Sequence, residues 1–197
     1  MGGIRGVMHY MQRTAIQGSP DTVTAISRRW VRGATQINPG RHPFRIPFGE
    51  LRLGDSFNSS ERLVTVEDIE RFAALSGDTY YAHMSETEAA RNPLFGGRVA
   101  HGYFLISAAA GLFVDPDYGP VLGNYGLDNL RFVKPVKPGD SIKVRITCKE
   151  KVLRPDKGWG EVTWDTEISN QNGDTVASYD VLTMVSVHAI PDAAAGH

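Results

Sequence analysis

The chain has 197 residues, 41% of them hydrophobic and 22% charged, with a formal net charge of -1 at pH 7. That balance describes a globular protein large enough to bury a core, and it lacks the basic excess of a nucleic-acid-binding surface. The single cysteine, Cys148, excludes an intramolecular disulfide and a cysteine-based zinc site, and no apolar run approaches the roughly 18 residues that span a bilayer. A cytoplasmic setting without a membrane partner is expected.

Residues 1–43 differ in character from the rest of the chain. Arg5, Arg13, Arg28, Arg29 and Arg32 face one acid, Asp21, a superficial likeness to a targeting peptide that Gly18-Ser19-Pro20 interrupts. A short helix is expected over "TVTAISRRW", followed by a Pro- and Gly-rich linker. The main domain is expected over 44–190, with a tail at 191–197.

Within that domain, Thr65 reads as the N-cap of a helix over "VEDIERFAALS". Val66, Ile69, Phe72, Ala73 and Leu75 have helical spacing, and Gly77 lies past the end. Ser85 and Glu88 form a capping-box pattern for a short helix that Pro93 stops. "GYFLISAAAGLFV" is apolar nearly all round and too short to span a membrane, so it is expected as a helix wrapped by other structure. Four strand candidates come after it: "NLRFVKPV", "SIKVRITCKEKV", "GEVTWDTEISNQ" and "TVASYDVLTMVSV". Turns at Lys137–Asp140 and Asn170–Gly173 join them, the first with Pro and Gly placed for type II. One buried helix and an antiparallel sheet curving around it make an α+β layout. Cys148 sits in an alternating run and is expected as a buried structural residue.

Asp78 and His83 stand five residues apart in "LSGDTYYAHMSE". Across a turn, such a pair can bring its side chains to one point, the carboxylate taking a proton from water and the imidazole placing that water or returning a proton. Spacing alone equally allows Asp78 to bond local amides while His83 packs on the tyrosines. A second feature lies in "FGGRVAHGYFLIS", where His101-Gly102 opens the apolar helix and its first amides could receive developing negative charge. His101 is expected to support this loop, and it is grouped with Tyr80 and Tyr81 as lining a substrate. No metal is expected, because no second ligand lies at suitable spacing from His101.

The ordered set "SGD…His83", "HG" before a buried helix and "LRFVKPVKPGD" resembles the MaoC-like family of (R)-specific enoyl-CoA hydratases, over roughly 45–187. The resemblance implies a hot-dog fold, with Asp78 and His83 as catalytic pair, the Gly102 N–H as oxyanion donor, a CoA-thioester substrate and no cofactor beyond that CoA. It also implies a homodimer or higher assembly, a hexamer built as a trimer of dimers being one form. Arg131, Lys134 and Lys137 are candidates for the CoA phosphates, and for each a solvated sheet face is an equal alternative. Tyr80 and Tyr81 stand where the hydratase pattern has Asn and Pro. That departure and "AHGYFLISAAAGLFVDPDYGPVLGNYGLDNLRF" resemble the C-terminal hydratase domains of bifunctional phenylacetate-degradation proteins. In those proteins the hydratase follows an aldehyde dehydrogenase domain, whose last piece "RGVMHYMQRTAIQGSP" resembles.

What this narrower resemblance implies is oxepin-CoA hydrolysis: water adds to an enol-ether carbon and the adduct collapses to an open-chain aldehyde. The chain is then a piece of such a protein or a relative lacking the dehydrogenase, and no oxidoreductase activity is expected. Three alternatives remain. One is a general (R)-specific hydratase acting on short linear acyl-CoAs. A second is a thioesterase, which needs a carboxylate on or beside the central helix, where 102–114 has none. The third is a non-catalytic module that oligomerises and docks a dehydrogenase.

Overall fold

The computed structural model describes residues 41–188. Most of the expected N-terminal segment, with its dehydrogenase-like motif and short helix, lies outside the described residues, as does the tail at 191–197. Four α-helices are described, α1 Val66–Ser76, α2 Tyr81–Met84, α3 Glu86–Ala90 and α4 Gly102–Phe113. The strands are β1 Ser56–Asn58, β2 Arg62–Leu63, β3 Val121–Phe132, β4 Ser141–Arg154, β5 Trp159–Asn170 and β6 Thr175–Ser186. They form one antiparallel sheet in the order β1-β4-β5-β6-β3, with β2 also paired to β4.

Alternation along the central stretches of β4 and β5 makes the sheet two-faced. Cys148, Trp164 and Val181 are cross-strand neighbours on one face, and all three are buried. With Val144, Ile146, Val162 and Ile168 they form the floor on which α4 lies through Phe104, Leu105, Ala108 and Phe113. Each such side chain removed from water contributes on the order of 1.5–3 kcal/mol. Trp164 satisfies its indole N–H on Thr183 Oγ1 at 2.8 Å. Burial pushes the Cys148 thiol up to about 12, so it is a packing residue, as expected. The opposite face carries Thr147, Asp165 and Asp180 side by side.

The α1 boundaries match their capping signals. Thr65 and Asp68 form a reciprocal capping box, and Gly77 closes the helix with φ 79°. Leu75 departs from the expected stripe, being 84% exposed, while Ile69 and Ala73 are buried. In α3, Ser85 Oγ accepts the Glu88 N–H at 3.3 Å, and the helix ends at Ala90, before Pro93. Gly139 has φ 95° and Asp140 N–H reaches Lys137 O at 3.0 Å, the expected turn geometry.

Two expectations are corrected. The helix at 102–113 is not wrapped on every side, since Tyr103, Ser107, Ala110 and Gly111 are exposed along one stripe where the sheet does not reach. The first long strand begins at Val121, not Asn129, and stops at Phe132 before "VKPV". Three register shifts against β6, and Asn129 at φ 56°, break the two-residue periodicity that would have revealed it. β3 pairs with β6 along one edge, and its other edge has no partner strand among the described residues. No helix among the described residues is long and apolar enough to cross a membrane.

Candidate active site

The left-handed Gly77 ends α1 abruptly and turns the chain back, placing Asp78 at the start of the loop into α2. There the Asp78 carboxylate is bonded on one side only: Oδ1 accepts the Tyr80 N–H at 3.2 Å, and among the described residues none donates to Oδ2. The local amide bond and a reactive carboxylate oxygen therefore coexist in one side chain. His83, on α2, has its Nδ1 2.8 Å from the Val99 carbonyl. A carbonyl only accepts, so Nδ1 carries the proton and Nε2 is left with its lone pair.

His101 comes from the other direction, immediately before α4. Its Nε2 lies 2.9 Å from the Asp78 carbonyl, to which it donates, and its ring stacks on His83 with centroids 3.8 Å apart. The side chain is 0% exposed, packed also on Phe72. Burial holds its pKa below 6.5, with the neighbouring His83 acting in the same direction and the Asp78 carbonyl against it. His101 is thus a neutral brace beneath Asp78 and His83. The expectation that it touches substrate is corrected, because no part of it reaches the surface.

His101 also has neighbours of metal-ligating type, contrary to what its sequence spacing suggests. Asp78, His83 and His101 each offer a donor atom, and these lie within 4.8 Å of one another. Yet His83 Nδ1 and His101 Nε2 are committed to carbonyls, and the rings are stacked with planes 29° apart. That leaves one ring nitrogen on each histidine beside the carboxylate, and His101 Nδ1 is buried with no hydrogen-bond partner among the described residues.

Gly102 begins α4. Its N-cap is His101, whose side chain makes no capping bond, so the first amides of the helix meet no side-chain acceptor. Open N–H groups with the helix dipole behind them stand next to the acid–base pair.

The tyrosines form a linked pair, ring centroids 4.5 Å apart, with Tyr80 51% exposed and edge-on to His83 at 5.9 Å. The Tyr80 hydroxyl, then the Asn92 amide at 2.9 Å, bond to the Tyr81 hydroxyl and hold its pKa below the usual range. Arg131, Lys134 and Lys137 do not share one target. Arg131 donates to the carbonyl of Leu130, Lys134 pairs with Asp174 at 2.9 Å, and Lys137 donates to Gly96 O at 3.0 Å. Lys137 and Arg98 line a cleft of about 410 Å³ in which Glu70 and Glu86 offset their charge.

Several supports carried no sequence signal. The Val99 carbonyl that sets the His83 tautomer is backbone. Arg98, which bonds Glu70 at 3.2 Å and Met84 O at 2.8 Å, ties α1 and α2 to that same loop and looks like any surface cation in the sequence.

The family model described as "MaoC like domain" matches residues 50–169. Protein MaoC of Klebsiella aerogenes is 53% identical over 177 residues, covering 86% of this chain and 52% of that protein, so the chain spans about half of that relative's length. The (R)-specific enoyl-CoA hydratase of Rhodospirillum rubrum is 34% identical over 103 residues, 51% of this chain and 67% of that one. Among solved structures, the R-hydratase PhaJ1 of Pseudomonas aeruginosa, unliganded, matches with a TM-score of 0.59 and 34% identity, over 74% of this chain and 89% of that one. The antiparallel sheet with its central helix is the hot-dog fold, α+β in class, as expected.

Proposed function

The chain belongs to the MaoC-like domain family, and we propose that it adds water across the double bond of an α,β-unsaturated acyl-CoA thioester. The observation that carries this reading is the meeting of three parts at one place: the half-bonded Asp78 carboxylate, the Nε2 of His83, and the uncapped helix start at Gly102. The R-hydratase and enoyl-CoA hydratase names of the relatives support it.

The geometry supports the following roles. Asp78 takes a proton from water held between its Oδ2 and His83 Nε2. The water oxygen bonds to the β-carbon while the carbon–carbon double-bond electrons move toward the thioester oxygen, which the Gly102 N–H receives. The proton then returns to the α-carbon, directly or through His83, so that one water is consumed and both side chains are restored. No cofactor beyond the substrate's own CoA enters these steps. Arg131, one residue from Phe132 and with its guanidinium donating to the Leu130 carbonyl of its own strand, is assigned to a CoA phosphate. The exposed Lys134–Asp174 pair is weak enough to open for the same purpose.

Within this reading the substrate is a ring. Tyr80 and Tyr81 make an aromatic, hydroxyl-bearing wall where the hydratase pattern has Asn and Pro. With oxepin-CoA, water addition yields a carbon bearing both hydroxyl and ring oxygen. Loss of the hydroxyl proton, cleavage of the carbon–ring-oxygen bond and protonation of the released enol oxygen then give the open-chain aldehyde. A homodimer or larger assembly belongs to the same reading. The open edge of β3, with exposed Leu122, Leu127 and Val133, supports pairing with a second copy. A fused or docked aldehyde dehydrogenase belongs to the narrower reading, which rests on the likeness of "RGVMHYMQRTAIQGSP" to the end of such a domain.

The test is turnover by the purified protein of crotonyl-CoA and of oxepin-CoA, followed by loss of the conjugated absorbance and by chirality of the hydrated product. Hydration of either supports the general reading, and a higher kcat/KM for oxepin-CoA supports the ring. Failure on both substrates refutes both and leaves the docking module.

A further inference from the structure

Glycine at 102 is not required by the backbone, since Gly102 is absent from the residues with positive φ. What requires it is a side chain from the far end of β3. A Cβ placed on Gly102 would lie 2.4 Å from Cζ of Phe132 and 2.6 and 2.8 Å from its two Cε atoms. The tip of the Phe132 ring therefore sits in the notch that the missing side chain leaves, directly on the first residue of α4. Phe132 is nevertheless 49% exposed, so the rest of the ring faces out beside the open helix amides. Tyr103, 69% exposed, stands edge-on to it at 6.4 Å, and Tyr80 borders the acid–base pair.

We propose that Phe132 is a specificity-determining residue: it forms the wall against which the acyl group lies when the thioester oxygen meets the Gly102 N–H, and it favours flat, conjugated or ring-bearing acyl groups. This rests on the reading of Gly102 as the oxygen-binding end of the site. Nonpolar ring surface placed there offers a planar acyl group a contact that a short linear chain exploits less, because stacking gains grow with the flat area covered. Keeping the ring in the Gly102 notch fixes that wall without a covalent or polar tether.

The experiment uses the full chain with crotonyl-CoA and cinnamoyl-CoA, the latter scored as substrate or, if not turned over, as competitive inhibitor of crotonyl-CoA hydration. Phe132→Ala is expected to weaken the preference for the ring-bearing acyl group relative to crotonyl by roughly tenfold or more, chiefly in KM or Ki, with Phe132→Leu shifting it in the same direction. Gly102→Ala keeps the N–H but displaces the ring, and is expected to lose activity that the double variant Gly102→Ala/Phe132→Ala partly regains. Any of three results overturns the proposal: a preference within about threefold of wild type in both Phe132 variants, a double variant no better than Gly102→Ala, or no binding of cinnamoyl-CoA to the wild type. Asp78→Asn separates this from the reading beneath it: loss of turnover there with unmoved Phe132 preferences sinks only the present inference, and retained turnover sinks the water-addition reading.

Discussion

The starts of α1 and α4 face the same physical problem and solve it differently. At α1, Thr65 Oγ1 accepts the Asp68 N–H at 3.1 Å, while Asp68 accepts the Thr65 N–H and an Arg62 guanidinium N–H, both at 3.0 Å. Burial raises the Asp68 pKa, but those bonds outweigh it and hold the carboxyl below 3.8. At α4 the N-cap is a histidine that turns its ring away to brace Asp78, and no side chain caps the helix. One terminus is closed for stability, whereas the other is left open next to an acid–base pair, forgoing about 1 kcal/mol of capping energy. Thr65 and Ser85 cap α1 and α3, whereas α2, like α4, begins without a side-chain cap.

The contrast between the two helix starts is tested most sharply at Asp78. Asp78→Asn is expected to lower kcat/KM for water addition by roughly 10²–10⁴, with an unchanged melting temperature. Loss of stability without loss of turnover would make the α4 end as structural as the α1 end. Next comes the brace. His101→Phe preserves ring bulk but removes the donor to the Asp78 carbonyl, so turnover should fall by about tenfold or more through misplacement of the loop.

The same variant tests pH dependence. Folding lowers the His101 pKa below 6.5, so the unfolded chain takes up its proton first. The stability of the neutral ring is fully present above 6.5 and lost as pH falls through 6.5 toward the depressed folded value. Thermal melts between about pH 7 and 5 should therefore slope less in His101→Phe than in wild type. Part of the slope remains, because burial lowers the His42 pKa as well. An identical slope would mean that His101 is not held neutral. The smallest effect belongs to α1: Thr65→Ala should cost about 1 kcal/mol in denaturant melts and leave kcat/KM as it was. A kinetic effect of Thr65→Ala would show that the two helix starts are not independent.

Much of this was legible in the chain. Thr65 and Gly77 mark the ends of α1 because caps act within a few residues of themselves, and alternation in 141–186 marks three of the long strands. β3 was half-hidden because Gly123, Gly126 and the left-handed Asn129 interrupt its periodicity. Leu75 fits a helical stripe on paper, yet at the last turn of α1 it is exposed.

The Asp78–His83 spacing and the His101-Gly102 helix start were visible as separate local patterns, and local patterns are all that sequence by itself determined. That His101 is buried beneath Asp78, that Val99 selects the tautomer of His83, and that Phe132 occupies the notch at Gly102 were decided only by tertiary structure. Each joins residues 16 to 30 positions apart, as His83–Val99, Asp78–His101 and Gly102–Phe132 are. No periodicity or cap encodes such contacts: they come from the way the sheet fixes where α4 begins and what must pack around that point.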